Sequence, residues 1–110
     1  MSQNWMNAFS QSEPIVLRPN SIVLASNAVG TADERSPFGA WLYHTELFTG
    51  ERLTECAVCG CNNPARHGAH IYAFAVSSQR RITPMCEEHN QQRGEMLYLK
   101  QNAPLVLERP

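Results

Sequence analysis

The chain has 110 residues, 43% of them apolar, and a formal net charge of −1. This length fits one small domain with a modest core, and the near-neutral charge gives no global attraction to nucleic acid or acidic surfaces. No stretch approaches the roughly 20 apolar residues of a membrane-spanning helix, so we expect no membrane partner. The N-terminal residues lack the basic region and apolar run of a secretory signal, which predicts a cytoplasmic, reducing location. In such a compartment, four cysteines and four histidines favour a metal site over disulfides.

The N-terminal half is predicted to contain short β-strands. Residues 1–13 are polar and expected to be flexible, and residues 14–110 are expected to form a single domain. Two β-like runs, Ile15–Leu17 and Ile22–Ala25, flank a turn at Pro19-Asn20.

One short helix is predicted in the same half, from Ser36 to Phe48. Ser36 is expected to be its N-cap, with Pro37 at the first helical position. Thr49 and Gly50 are expected to end it, because a glycine tolerates the left-handed conformation that closes many helices.

From Glu55 onward the sequence alternates turn-rich segments with short apolar runs. The order predicts a ligand-rich turn, a β-hairpin, a helical turn and two final strands. The predicted elements are the hairpin strands within Gly68–Val76 and Arg81–Pro84, the helical turn Cys86–Gly94, and the strands Glu95–Lys100 and Leu105–Glu108.

Two half-sites in this region predict a zinc ion. Cys56 and Cys59 form a C-x-x-C turn, whose two thiolates can point at one ion. Cys86 and His89 form C-x-x-H at the start of a helical turn, where positions i and i+3 share a face. Together they make a Cys₃His set, the closed tetrahedral set that structural zinc prefers, and soft sulfur ligands argue against magnesium or calcium.

Cys61 leaves the ligand assignment open. It lies two residues beyond Cys59 and could replace it as the second ligand of this turn, which we call the knuckle (residues 56–61). The C-x-x-C spacing favours Cys59, so Cys61 is kept as the alternative ligand.

The sequence from GAHIY to ITPMCEEHNQQRG carries a second pattern. His70 lies on the first strand of the predicted hairpin, and Pro84-Met85-Cys86 precede the second half-site. His89, Asn90 and Arg93 follow it. This text resembles the HNH endonuclease motif, in which a histidine on a strand is followed by N-L-x-P-L-C-x-x-C-H/N-x-x-K. It is also similar to small bacterial and phage proteins with the pattern G-A-H-V…P-L-C-x-x-H-N.

The resemblance covers about residues 55–94 and implies a treble-clef core of knuckle, hairpin and helix. It also implies that His70 is a general base and that Asn90 helps to hold Mg²⁺ or Mn²⁺ beside a scissile phosphate. Two departures weaken the nuclease reading. Ala69 stands where an aspartate often supplies a metal oxygen, and Arg81 stands where the motif usually has asparagine.

Four arginines flank the knuckle, the hairpin turn and the helix. In a treble clef they could converge on one side and contact phosphates of DNA. They are Arg66, Arg80, Arg81 and Arg93.

The sequence therefore predicts a small α+β protein: a zinc-bound treble clef with additional short strands and one short helix in the N-terminal half. We rank a nucleic-acid-binding or protein-binding module with weak or no nuclease activity first. An active metal-dependent endonuclease that uses His70 and Asn90 is the alternative. A small inhibitor or adaptor acting through protein contacts is the third hypothesis, and its aromatic anchors would be Trp5, Phe9, Phe38 and Trp41.

Overall fold

The computed structural model describes residues 13–31 and 34–110. These residues form an α+β fold, with a six-stranded antiparallel sheet and two short helices. The predicted flexible segment 1–13 lies outside the described residues except for Glu13, as do the proposed anchors Trp5 and Phe9. The elements are β1 (Val16–Leu17), β2 (Val23–Asn27), α1 (Trp41–Thr49), β3 (His67–Tyr72), β4 (Arg81–Met85), α2 (Glu87–Asn90), β5 (Met96–Leu99) and β6 (Leu105–Leu107).

The sheet is built around the predicted hairpin. Its strand order is β1-β6-β4-β3-β2-β5, so β3 and β4 occupy the middle. Every residue of β4 is buried, including the two polar residues Arg81 and Thr83. The predicted strands are all observed, with ends that differ by a few residues.

Alternation along β3 divides the interior into two sides. Ala69 and Ile71 belong to one apolar cluster with Met85 and three of the cysteines. His70 lies between them and therefore faces the other side of the sheet. There the ring of Trp41, at the start of α1, packs edge-on against the imidazole with 4.7 Å between centroids.

Helix α1 begins at Trp41, so the prediction of Ser36 as N-cap and Pro37 as first helical residue was wrong. The Ser36 hydroxyl instead accepts a hydrogen bond from the Phe38 N–H at 3.1 Å and bonds to Nδ1 of His44 at 2.7 Å. These contacts close a turn before the helix. The predicted end is confirmed, because Gly50 has φ 73° and donates its N–H to Glu46 O.

Gly68 brings α1 directly onto β3. A Cβ at this position would lie 2.4 Å from the carbonyl carbon of Trp41. No side chain fits there, so the glycine fixes how closely the first turn of α1 approaches the hairpin. Neither described helix is long and apolar enough to cross a membrane.

Candidate metal centre and the adjoining pocket

Four potential ligands meet where the knuckle packs on α2. The Sγ atoms of Cys56, Cys61 and Cys86 and one ring nitrogen of His89 all lie within 4.8 Å of one another. The three cysteines are buried and His89 is half-buried. The three cysteines belong to the main apolar core, which would shield their side of the candidate ion from water.

The spacing of the donors suits a tetrahedral ion. Zinc with Zn–S near 2.3 Å and Zn–N near 2.05 Å requires about 3.8 Å between sulfurs and about 3.6 Å between sulfur and nitrogen. The observed separations are 3.9 Å for Cys61 Sγ to Cys86 Sγ, and 3.6 Å and 3.3 Å from His89 Nδ1 to the sulfurs of Cys56 and Cys86. The buried cluster is therefore consistent with a structural Zn²⁺.

The knuckle turn brings Cys61 into the cluster and leaves Cys59 outside it. The Cys61 N–H donates to Val58 O at 3.0 Å, and Gly60 has φ 78°, so residues 58–61 form a tight turn. Cys59 is the second residue of this turn, and its N–H donates to Tyr98 O of β5 at 2.8 Å. We therefore replace Cys59 by Cys61 in the candidate ligand set. Cys59 lies inside the turn, whereas Cys61, the last residue of the turn, has its sulfur in the cluster.

The cysteine environments differ in their preference for thiolate. Burial raises the pKa of Cys56 to about 11. Burial also acts to raise the pKa of Cys86, but the His89 amide and the neighbouring thiols together lower it below its ordinary value. Cys86 is the N-cap of α2 and accepts the His89 N–H at 3.4 Å. Of these two cysteines, Cys56 is the one whose surroundings disfavour the thiolate, which a bound cation would stabilise.

Lys100 supports the knuckle from behind. Its ammonium donates to the carbonyl oxygens of Cys56 at 2.7 Å and Cys61 at 2.6 Å, and to Glu55 Oε1 at 2.8 Å. These bonds fix the backbone of Cys56 relative to that of Cys61. They also place a positive charge beside a site that would carry three thiolates.

Asn27 holds the other half of the centre. It is 2% exposed, and its side-chain amide donates to the carbonyl oxygens of His89, Asn90 and Gln92 at 3.0–3.3 Å. These carbonyls lie at the end of α2, where each also accepts another hydrogen bond, from the Gln92 N–H, Arg93 Nε and the Glu95 N–H respectively. One β2 side chain therefore fixes the segment that supplies both His89 and Asn90.

A pocket of about 210 Å³ lies beside α2, between α1 and the hairpin. His70 and Asn90, the two residues that the HNH resemblance singles out, both line it. The rest of the lining is rich in cationic side chains. Its members are Thr31, Glu34, Arg35, Ala40, Trp41, Leu42, Arg66, His67, Gly68 and Arg93.

His70 is held in one orientation. It is 6% exposed, and its Nδ1 lies 2.6 Å from Glu108 Oε2. Burial acts to raise the pKa of Glu108, but hydrogen bonds from His70 and Arg80 leave it below the ordinary value. The carboxylate therefore accepts Nδ1–H, and Nε2 has no hydrogen-bond partner among the described residues. Nε2 is thus a buried polar atom that a group bound against this wall of the pocket would satisfy.

Glu34, His70 and Glu108 form a second group that could hold a metal ion. Arg80 already bridges its two carboxylates, at 2.5 Å from Nη2 to Glu34 Oε1 and 2.5 Å from Nε to Glu108 Oε2. The guanidinium thus supplies the cation that these acids need. A divalent metal at this position would have to displace it.

The four arginines predicted to contact nucleic acid differ in burial and in their hydrogen-bond partners. Arg81 is fully buried and donates to Ser77, Glu13 and three backbone carbonyls, so its assignment as a surface contact was wrong. Arg80 is engaged by the two acids. Arg66 and Arg93 are exposed and line the pocket, which keeps them as candidate contacts.

Local sequence patterns could not reveal the supporting residues. Glu108 reaches His70 only because β6 pairs with β4, with Ile82 opposite Val106. Asn27 reaches α2 only through the fold of β2. Of these supporting residues, only Lys100 stands out in the composition, because it is the only lysine of the chain.

No family model matches the sequence, and neither the curated proteins nor the solved structures contain a match.

Proposed function

We propose that this protein is a zinc-stabilised, HNH-like treble-clef module that binds nucleic acid through the pocket at His70 and Asn90. The observation that carries the proposal is the convergence of these two residues with Arg66 and Arg93 on one pocket. A cationic cleft of this kind suits a phosphate backbone.

The metal supports this role by fixing α2. His89 belongs to the Cys₃His cluster, and the next residue, Asn90, lines the pocket. Zinc would be held by Cys56, Cys61, Cys86 and His89, and would supply only structural stabilisation there. Losing it should therefore disorder one wall of the pocket.

The test is zinc analysis coupled to DNA binding on the same purified protein. We expect one zinc per chain and an affinity that falls steeply with salt. The double substitution Arg66→Gln and Arg93→Gln should keep the zinc and reduce the slope of log affinity against log salt by about 2. Salt-independent binding, or an unchanged slope in the double variant, would overturn the proposal.

An active endonuclease is a second candidate, and the free Nε2 of His70 favours it. With Nδ1 held by Glu108, Nε2, which has no partner among the described residues, would take the proton of a water molecule bound against it in the pocket. This activity would need Mg²⁺ or Mn²⁺. Added metal should then promote plasmid nicking, and His70→Ala should abolish it while zinc content stays unchanged. Nicking that survives His70→Ala would exclude this mechanism.

A further inference from the structure

The first turn of α1 has no cap. Ala40 occupies the N-cap position without a side-chain hydrogen bond, and no acidic residue lies in the first turn. The His44 N–H makes the first intrahelical bond, to Ala40 O at 2.9 Å. The backbone N–H groups of residues 41–43 therefore have no acceptor within the described part of the chain, and the positive end of the helix dipole is uncompensated.

This helix end opens into the pocket already described. Ala40, Trp41 and Leu42 form one side of it, and Arg66 and Arg93 belong to the same lining. Within residues 13–31 and 34–110 Arg66 makes no close side-chain hydrogen bond or ion pair, although, beside the hydrogen bond from His67, its charge is near enough to Glu87 to help lower the pKa of that carboxyl. Arg93 is held across the end of α2 by bonds to Asn90 O and Thr31 Oγ1, at 2.7 Å and 3.0 Å.

His70 is an independent indication of a ligand. Its side chain is more than nine-tenths buried, it lines this pocket, and Nε2 is the buried side-chain polar atom that lacks a partner among the described residues. A buried polar atom without a partner costs free energy unless a bound group satisfies it. Glu34, the acid in the pocket lining, is already paired with Arg80.

We infer that the N-terminus of α1, Arg66, Arg93 and His70 Nε2 together form a binding site for a single phosphate group. Helix N–H groups and guanidinium groups both donate to phosphate oxygens. Nε2 adds one hydrogen bond: a terminal or inorganic phosphate can donate its P–OH to the neutral imidazole, whereas an internal phosphodiester has no proton and would accept from the imidazolium. The inference rests on the proposed function for the source of this group, a phosphate of nucleic acid. It adds a contact from α1, which lies outside the HNH-like segment.

The experiment titrates the full-length, zinc-loaded protein with inorganic phosphate and follows backbone amide resonances. We expect saturable shifts at Leu42 and Tyr43. Ala40→Asp should weaken phosphate binding by about tenfold or more, because its carboxylate caps the same N–H groups and repels the anion. An aspartate N-cap favours the helix, so this variant should fold at least as well as the original protein.

Ala75→Asp is the matched control. It introduces the same charge at an exposed position in the turn between β3 and β4, and should leave phosphate binding unchanged. Equal binding by the Ala40→Asp variant, or shifts confined to other residues, would overturn the inference.

Short DNA strands with and without a 5′-phosphate separate the sources. Tighter binding of the phosphorylated strand indicates a terminal phosphate, and equal binding indicates an internal one; either supports the site if Ala40→Asp removes it. DNA binding that is insensitive to Ala40→Asp would refute the α1 site and leave the proposed function intact. Phosphate binding without DNA binding would refute the proposed function and keep the phosphate site.

Discussion

The metal centre and the basic pocket share one short helix but are built in opposite ways. In the metal centre, four side chains converge on a buried point, and each has a partner in the same cluster. In the pocket, cationic and polar groups from distant segments surround an open space, and one buried nitrogen has no partner. A closed donor set is suited to holding a fold together, and an open set with an unsatisfied atom is suited to binding something from outside. The junction of the two is α2, which gives His89 to one and Asn90 to the other.

The largest expected effect comes from the metal centre. Cys61→Ser should remove zinc and with it much of the roughly 10–16 kcal/mol that a structural zinc contributes to folding at neutral pH. Cys59→Ser is the matched control and should retain one zinc per chain and the cooperative unfolding transition. Metal analysis and thermal unfolding check both. Loss of zinc in the Cys59 variant, with retention in the Cys61 variant, would reverse our ligand assignment.

Three of the four clustered residues, Cys56, Cys86 and His89, were predictable from the sequence because each half-site is local. The spacing shows that Cys56 and a second cysteine after a turn can bind one ion. It does not show whether that second cysteine is Cys59 or Cys61. Here the backbone bond from Cys59 to Tyr98 of β5 decides, and that bond depends on a strand 39 residues further along the chain. The α+β class and the hairpin were likewise predictable from short apolar runs, whereas the start of α1 was not. Ser36 has the chemistry of an N-cap, but its hydroxyl is used by His44 and Phe38.

The pocket was predictable only in part. Resemblance to a motif pointed to His70 and Asn90, while the residues that orient His70 are Glu108, just after β6, and Trp41, at the start of α1. Arg81 shows the same limit most clearly. Arg81 is the first residue of β4, in which every residue is buried, whereas Arg80 lies just before the strand and stays partly exposed.

The second-largest effect should come from Arg81. Arg81→Met removes the hydrogen bonds that the buried guanidinium donates to Glu13 and to the carbonyls of Pro14, Ile15 and Leu105, which should cost about 3–5 kcal/mol of unfolding free energy. Chemical denaturation measures the loss, and Arg81→Lys should recover only part of it because one ammonium cannot replace a planar fork. Zinc content should not change. A loss below 1 kcal/mol would show that these contacts do not stabilise the fold.

The same network predicts a pH dependence. Hydrogen bonds from Ser77 and Ser78, aided by Arg81, lower the pKa of Glu13 from 4.5 to about 2. A lowered pKa means that the unfolded chain binds the proton first, so this stabilisation is present above pH 4.5 and is lost as the pH falls towards 2. Glu13→Gln should flatten that part of the stability profile. An unchanged profile between these pH values would contradict the assignment.

A smaller effect, felt in both regions, is expected at Asn27. Asn27→Ala removes one donor to three carbonyls at the end of α2 and should cost about 1–3 kcal/mol. Because α2 carries both His89 and Asn90, zinc affinity and DNA affinity should fall together. Asn20→Ala, at an exposed turn position, is the control. Loss of one affinity without the other would show that α2 does not couple the two regions.

The smallest effect on stability should come from the open rim of the pocket. Arg66→Gln changes an exposed side chain and should alter unfolding free energy by no more than about 0.5 kcal/mol. The slope of log DNA affinity against log salt should nevertheless fall by about 1, as expected for one lost phosphate contact. Arg18→Gln removes the same charge from an arginine paired with Glu51 at 3.1 Å, outside the pocket. If both variants change the slope equally, the attraction comes from overall charge. If only Arg66→Gln changes it, the phosphate is bound at this pocket.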